Sequence, residues 1–207
     1  MLNSNGKHFS AGADLNWMKR MSNCSREENL KDASMLTTML QKLNNLKYPT
    51  LAVIKGAAFG GGVGLISCCD IALASENSIF SLSEVKVGLI PATISPYVIN
   101  AIGARNARRL FTSGERFDSN IAKQINLVHE IAKEEDLEKR ISYFINHFKQ
   151  NGPQAVIAAK KIVLDIFNKE IDDSVISHTC EVISALRTSK EGREGVTAFL
   201  EKRDPKW

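Results

Sequence analysis

The sequence predicts an α/β region followed by an all-α region, and three observations carry that prediction. Short apolar runs alternate with helix-periodic segments up to about residue 131, the pattern turns helical almost throughout from about residue 134, and Gly152-Pro153 punctuates that second stretch. Strands separated by helices need crossover connections, so the first region should hold a largely parallel sheet. The expected division is a core over 1–133 and a helical region over 134–207. A chain of 207 residues with 43% apolar and 24% charged side chains suits one domain with an appendage and can bury a core.

The elements follow in order. Asp14 is placed to cap a helix LNWMKRM, and residues 27–46 read as a longer amphipathic helix carrying Leu30, Met35, Leu36, Met39, Leu40 and Leu43 until Pro49 stops it. TLAVIKGAAF over 50–59 and DIALAS over 70–75 read as buried strands, SIFSLSE over 78–84 as a shorter strand, and SPYVINAIGARNARRLF over 95–111 as a helix. Further helices are expected near 135–149, 153–168, 171–187 and 190–202.

Composition excludes several functions. A net charge of +4, with basic and acidic residues interleaved, provides no nucleic-acid stripe and no polybasic membrane patch, although it permits anionic small ligands. The longest apolar run, Gly56 to Cys69, is too short and glycine-rich to span a bilayer, and Met1 is not followed by a basic and then apolar leader. A cytoplasmic protein is the default expectation. Cys24, Cys68, Cys69 and Cys180 lack metal spacing, and the adjacent pair reads as small buried hydrophobes in a reducing compartment, without disulfides. His8 should end a strand, and His129, His147 and His178 share no motif, so no metal set is expected.

The stretch FGGGVGL, Phe59 to Leu65, is the unusual one. Glycines cluster where backbone must come close to something or turn through positive φ. Gly62-x-Gly64-x-x-Ser67 nearly matches a dinucleotide loop, but Asp70 already enters the next strand, leaving too few residues for a crossover helix. Tight strand-to-helix packing without function is the plain alternative. HFSAGADL, His8 to Leu15, alters the balance because it is a second strand end, glycine turn and helix start. Two such turns aimed at one point would offer backbone N–H groups to a carbonyl oxygen that gains charge, an oxyanion hole.

FSAGADL, KGAAFGGGVGLISCCDIALAS and FSLSEVKVGLIPATISPY, in that order, resemble the enoyl-CoA hydratase/isomerase (crotonase) superfamily, as do LFTSGERFDSNIAKQINLVHEI and the closing EGREGVTAFLEKRDPKW. LNWM and ISPYV resemble the bacterial methylglutaconyl-CoA and carboxygeranoyl-CoA hydratase-like branch. The resemblance implies a ββα spiral core with a C-terminal helical extension, trimers or pairs of trimers, and an acyl-CoA thioester substrate of which coenzyme A is part, with no separate cofactor. It implies that Ala13 and Gly61 bind the thioester oxygen and that Glu84 is a catalytic carboxylate. Ala11, Gly12, Asp14 and Leu15 would contact the coenzyme A portion, and Gly60, Gly62 and Gly64 would shape the substrate-facing turn. Taken without the family, Glu84 reads as an exposed strand-end or capping charge.

The chain departs from the family pattern twice. Gly64 stands where many hydratases carry a first catalytic glutamate, which leaves one carboxylate and, by expectation, room for water. Glu76 is a conceivable substitute, although an exposed turn is the expected place for it. The family usually has some fifty residues, about one βαβ unit and more, before the segment that opens this chain. A misassigned start, a fragment or a natural truncation would each produce that beginning. Hydration of a 2-enoyl-CoA, branched or carboxylated esters of leucine or isoprenoid breakdown included, is the leading expectation. A Δ3,Δ2-enoyl-CoA isomerase and a coenzyme A-binding pseudoenzyme are the alternatives. Trp17 and Met18 are expected to pack or to line an acyl wall, Asn126 to take a left-handed conformation in place of a family glycine, and Lys202 and Arg203 to be solvated helix-end charges.

Overall fold

Asp14 caps the first helix as its residue type predicts, its carboxylate accepting from the Trp17 N–H at 2.9 Å. The computed structural model describes residues 1–207. Two units are distinguished, one of residues 1–46 and 50–138, the other of residues 47–49 and 139–207. In the first, α1 (Leu15–Met21) and α2 (Arg26–Asn44) precede β1 (Leu51–Ile54), β2 (Ala57–Phe59), α3 (Gly61–Ser67), β3 (Ile71–Ser75) and β4 (Ile79–Ser81). There follow α4 (Ser95–Ser113), β5 (Arg116–Asp118), α5 (Ser119–Gln124) and β6 (Glu130–Ala132).

The run 50–59, expected as one strand, is two. Gly56 takes φ +59° and turns the chain between β1 and β2, which enter different sheets. One sheet has the order β1-β3-β6, all parallel, and Leu2 bridges Ala52 to extend it. The other has the order β2-β4-β5, with β2 and β4 parallel, β5 antiparallel, and Ser10 bridging Ala58. The passes β1-β2-α3 and β3-β4-α4 therefore each lay one strand in each sheet and then a helix, a spiral of ββα turns. The single parallel sheet expected from the alternation is replaced by this pair.

The core cluster gathers Ile54, Ile66, Phe80, Leu82, Val98, Leu110 and Phe117, with Phe80 and Phe117 stacked at 5.6 Å between ring centroids. In α2 only Leu40 is fully buried, with Leu36 and Leu43 partly buried against the core, whereas Leu30, Met35 and Met39 are exposed. Positions 36, 40 and 43 share one helical face; Met35 and Met39 lie rotated away from it. SIFSLSE also differs from expectation, because the strand ends at Ser81 and Glu84 opens a short 3-10 turn, Glu84–Val87. Gly103, at φ 75° and ψ 156°, kinks α4.

The second unit is helical: α6 (Leu137–Gln150, from 139 on), α7 (Pro153–Ile166), α8 (Asp173–Thr188) and α9 (Lys190–Leu200). Asp172 and Ser189 cap α8 and α9, and the Glu191 carboxylate accepts from the Gln154 and Ala155 N–H groups at the start of α7.

Candidate active site

Three parallel chain segments of the second sheet end side by side. The Ser10 N–H donates to the Ala57 carbonyl at 3.0 Å, Phe59 N–H donates to the Ser10 carbonyl at 2.9 Å, and β2 pairs with β4 through Phe59 and Ser81. Parallel neighbours leave the sheet at a common edge, so the residues following each segment come together there. Those residues are Ala11–Asp14, Gly60–Gly62 and Glu84, which stand far apart in the sequence.

The first exit turns through Gly12 at φ 115° and enters α1 at Leu15; Ala11 to Leu15 are all exposed. The second turns at Gly60, φ 53° and ψ −118°, whose N–H donates to the Ser81 carbonyl at 2.9 Å. A Cβ at Gly60 would lie 3.0 Å from the Glu84 Oε1, so glycine here both permits the turn and admits the carboxylate. Gly61, exposed and with nothing near its Cβ direction, is the first residue of α3 and has an N–H with no intrahelical acceptor. Gly62 packs against Ser10, where a Cβ would lie 2.7 Å from the Ser10 Cβ. The glycine cluster therefore locks the two turns together.

Glu84 is half-buried, and its Oε2 is fully buried without a hydrogen-bond partner in the protein. Burial pushes the carboxyl pKa above its usual value, opposed by a smaller pull from its own backbone N–H. A carboxyl group poised in this way can exchange a proton with a bound molecule.

Gly64 departs from expectation. It is buried, and a Cβ there would overlap the Ile94 side chain, whose own Cβ would be only 2.6 Å away. The room expected at position 64 is filled by Ile94, 2% exposed, because a glycine lets a neighbouring segment close onto the helix backbone.

Other candidates are structural. Glu76 is exposed in the β3–β4 turn, its backbone bonded to Ala132 and Ser119. Trp17 donates its indole N–H to Asp32 at 3.1 Å. The Nδ1 atoms of His8 and His129 each accept a strand N–H at 3.0 Å, from Ala57 and Ala72. Asn126 has φ 67°, as its residue type predicts. Arg203 is engaged by Glu194 and Glu201. All four cysteines are free; Cys68 is buried, which drives its thiol up to about 12 with a further contribution from Cys69, whereas Cys69 is only partly buried.

A cavity of about 670 Å³ adjoins the first turn at Ala11 and is lined by Phe59 and by the cations Lys7, Lys55 and Arg116, with Glu134 facing Lys55 at 3.6 Å. It does not contain Glu84, whose carboxylate stands instead over the Gly60 turn. Sequence reasoning missed these three cations and Ile94. Lys7 and Lys55 carried a signal, since each falls in a strand-to-strand corner beside a glycine.

The chain matches the family model "Enoyl-CoA hydratase/isomerase" over residues 1–207. The structure is similar to that of an enoyl-CoA hydratase from Shewanella pealeana, with a TM-score of 0.95 and 45% identity over 99% of this chain and 77% of that one. In sequence it is 27% identical to a short-chain-enoyl-CoA hydratase of Clostridium acetobutylicum, over 95% of this chain and 74% of the relative. It is also 27% identical to a peroxisomal Delta(3,5)-Delta(2,4)-dienoyl-CoA isomerase of Arabidopsis thaliana, over 100% of this chain and 78% of the relative.

Proposed function

The chain belongs to the enoyl-CoA hydratase/isomerase family and has the crotonase fold, and from that premise we propose that it adds water to a 2-enoyl-CoA thioester. The observation that carries this reading is the Glu84 carboxyl, with one oxygen against the Gly60 backbone and the other buried without a partner in the protein. An acceptor so placed suits the O–H of a reacting water. In the proposed reaction the thioester oxygen rests on the Ala13 and Gly61 N–H groups. Glu84 takes a proton from water as the water oxygen bonds to the β carbon, and the double-bond electron pair moves onto the thioester oxygen. The resulting enolate collapses as Glu84 returns the proton to the α carbon. Hydroxyl and hydrogen from one water thus end on adjacent carbons.

The substrate's coenzyme A portion would lie along Ala11–Leu15, with Lys7, Lys55 and Arg116 suited to its phosphates. The likeness of LNWM and ISPYV to one hydratase branch supports a branched or carboxylated acyl group, as in leucine breakdown. Exposed apolar residues on α7 to α9 support assembly into trimers.

Isomerisation is the second reading, favoured by Ile94 over Gly64: an apolar wall there suits a proton shift that excludes water. The test is to supply 2-enoyl-CoA and 3-enoyl-CoA esters in isotopically labelled water and to follow products by mass. Label at the β carbon is expected. Migration of the double bond without label selects the isomerase, and binding without conversion selects the pseudoenzyme. The rate should rise with pH through an ionisation above the ordinary glutamate value, because Glu84 must be charged to accept the proton and burial raises its pKa.

A further inference from the structure

We infer that Ile94 is a specificity-determining residue, which restricts the substrate-facing side of α3 to a single carboxylate by packing against the bare backbone of Gly64. This rests on the reading of Glu84 as the proton carrier. Gly60 is the N-cap of α3 and Gly64 lies one turn further on, its N–H donating to the Gly60 carbonyl at 3.4 Å. Over position 60 stands the Glu84 Oε1; over position 64 stands Ile94. Both come from one segment, the stretch that leaves β4, makes the 3-10 turn and enters α4. Ile94 is anchored there, its carbonyl accepting from the Tyr97 and Val98 N–H groups at 3.1 Å, and its side chain is closed from solvent.

The result is a short track, polar at one end and apolar at the other. A held water needs two to four polar partners, and the Ile94 side chain that covers Gly64 supplies none. Water can therefore be held only on the Glu84 side, and no side chain, charged or neutral, can be added at 64 while Ile94 keeps its place. The bulk of Ile94 sets the partition between water addition and proton migration.

Ile94→Ala, Ile94→Val, Gly64→Glu and the double variant Gly64→Glu/Ile94→Ala test this in the full chain. Crotonyl-CoA and 3-hexenoyl-CoA in labelled water are the probes. Ile94→Ala is expected to shift the ratio of label uptake to double-bond migration about tenfold toward uptake, the scale on which small changes in pocket packing alter discrimination. Ile94→Val should shift it less in the same direction, and it keeps the test available if the alanine variant does not fold. The double variant should add a second ionisation to the pH–rate profile, while Gly64→Glu alone should melt below it. An unchanged ratio in the Ile94 variants, or a Gly64→Glu protein that melts and titrates like the double variant, overturns the inference. Retained turnover in Glu84→Gln defeats the parent reading instead. Failure of the chain to convert either probe overturns both.

Discussion

The two units use their apolar residues differently. The cluster running from Leu40 to Val128 lies wholly in the first unit, where Phe80, Leu82, Ile94 and Val98 are almost completely withdrawn from solvent. In the second, α7 and α8 contain no buried residue, and Val163, Ile171, Phe199 and Leu200 are all more than half exposed. The first unit is held by a core, at whose edge a polar group is left without a partner. The helices of the second rely on caps such as Asp172 and Ser189 and on surface pairs such as Lys161 with Asp165. Such pairs contribute only a few tenths of a kcal/mol, about 0.3–0.5 each on a helix. Their apolar faces are the part of the second unit that a partner copy would stabilise.

The largest effect should come from the polar group at the core's edge. Glu84→Gln is expected to lower turnover of an enoyl-CoA ester by about 10²–10⁴-fold, the usual contribution of a positioned acid-base group. Its melting temperature should stay level or rise, since a partly desolvated carboxylate becomes a neutral amide. Turnover near that of the unaltered chain would remove Glu84 from the chemistry and leave the first unit a core without a site.

The contrast between core and helices is tested by paired truncations. Phe80→Ala, deleting a fully buried ring stacked on Phe117, should cost about 3–5 kcal/mol in denaturant unfolding. Phe199→Ser, at a residue 82% exposed, should cost within about 0.5 kcal/mol under dilute conditions yet lower the mass seen on size exclusion. Equal stability losses for the two, with no change in mass, would break the comparison.

The smallest effect is electrostatic. Hydrogen bonds from Arg203, then from the Lys206 N–H, hold the Glu194 carboxyl down to about 2 from 4.5. A depressed carboxylate stabilises fully above its unfolded value and loses that stabilisation as pH falls through its folded value. The unaltered chain should therefore lose melting temperature between about pH 4.5 and pH 2 more steeply than Glu194→Gln, by a small margin because the pair is exposed. Superimposable acid profiles would show that the terminal clasp contributes nothing.

Much of this was legible in the residues. Asp14 capped its helix because a carboxylate three residues before a free N–H acts locally, and the helices of the second unit fell close to their expected bounds because apolar spacing and the glycine-proline break are also local signals. The segment 116–132 was not resolved into β5, α5 and β6, since three-residue strands have too few positions to show a period. The break at Gly56 was hidden because a glycine inside an apolar run looks like one more strand residue.

By itself the sequence determined the alternation of strands and helices in the first region, the helical run of the second, and the turns that demand glycine. Tertiary structure alone decided that the Ser10 segment, β2 and β4 lie parallel and neighbouring, so that Ala13, Gly61 and Glu84 leave the sheet at one edge. It also decided that Gly64 is closed by Ile94 rather than open to water. Caps and periodicities act across a few residues and can be read along the chain. The meeting of Gly60 with Glu84 and of Gly64 with Ile94 depends on how closely packed segments from distant positions fill space, and no local pattern encodes which neighbour will fill it.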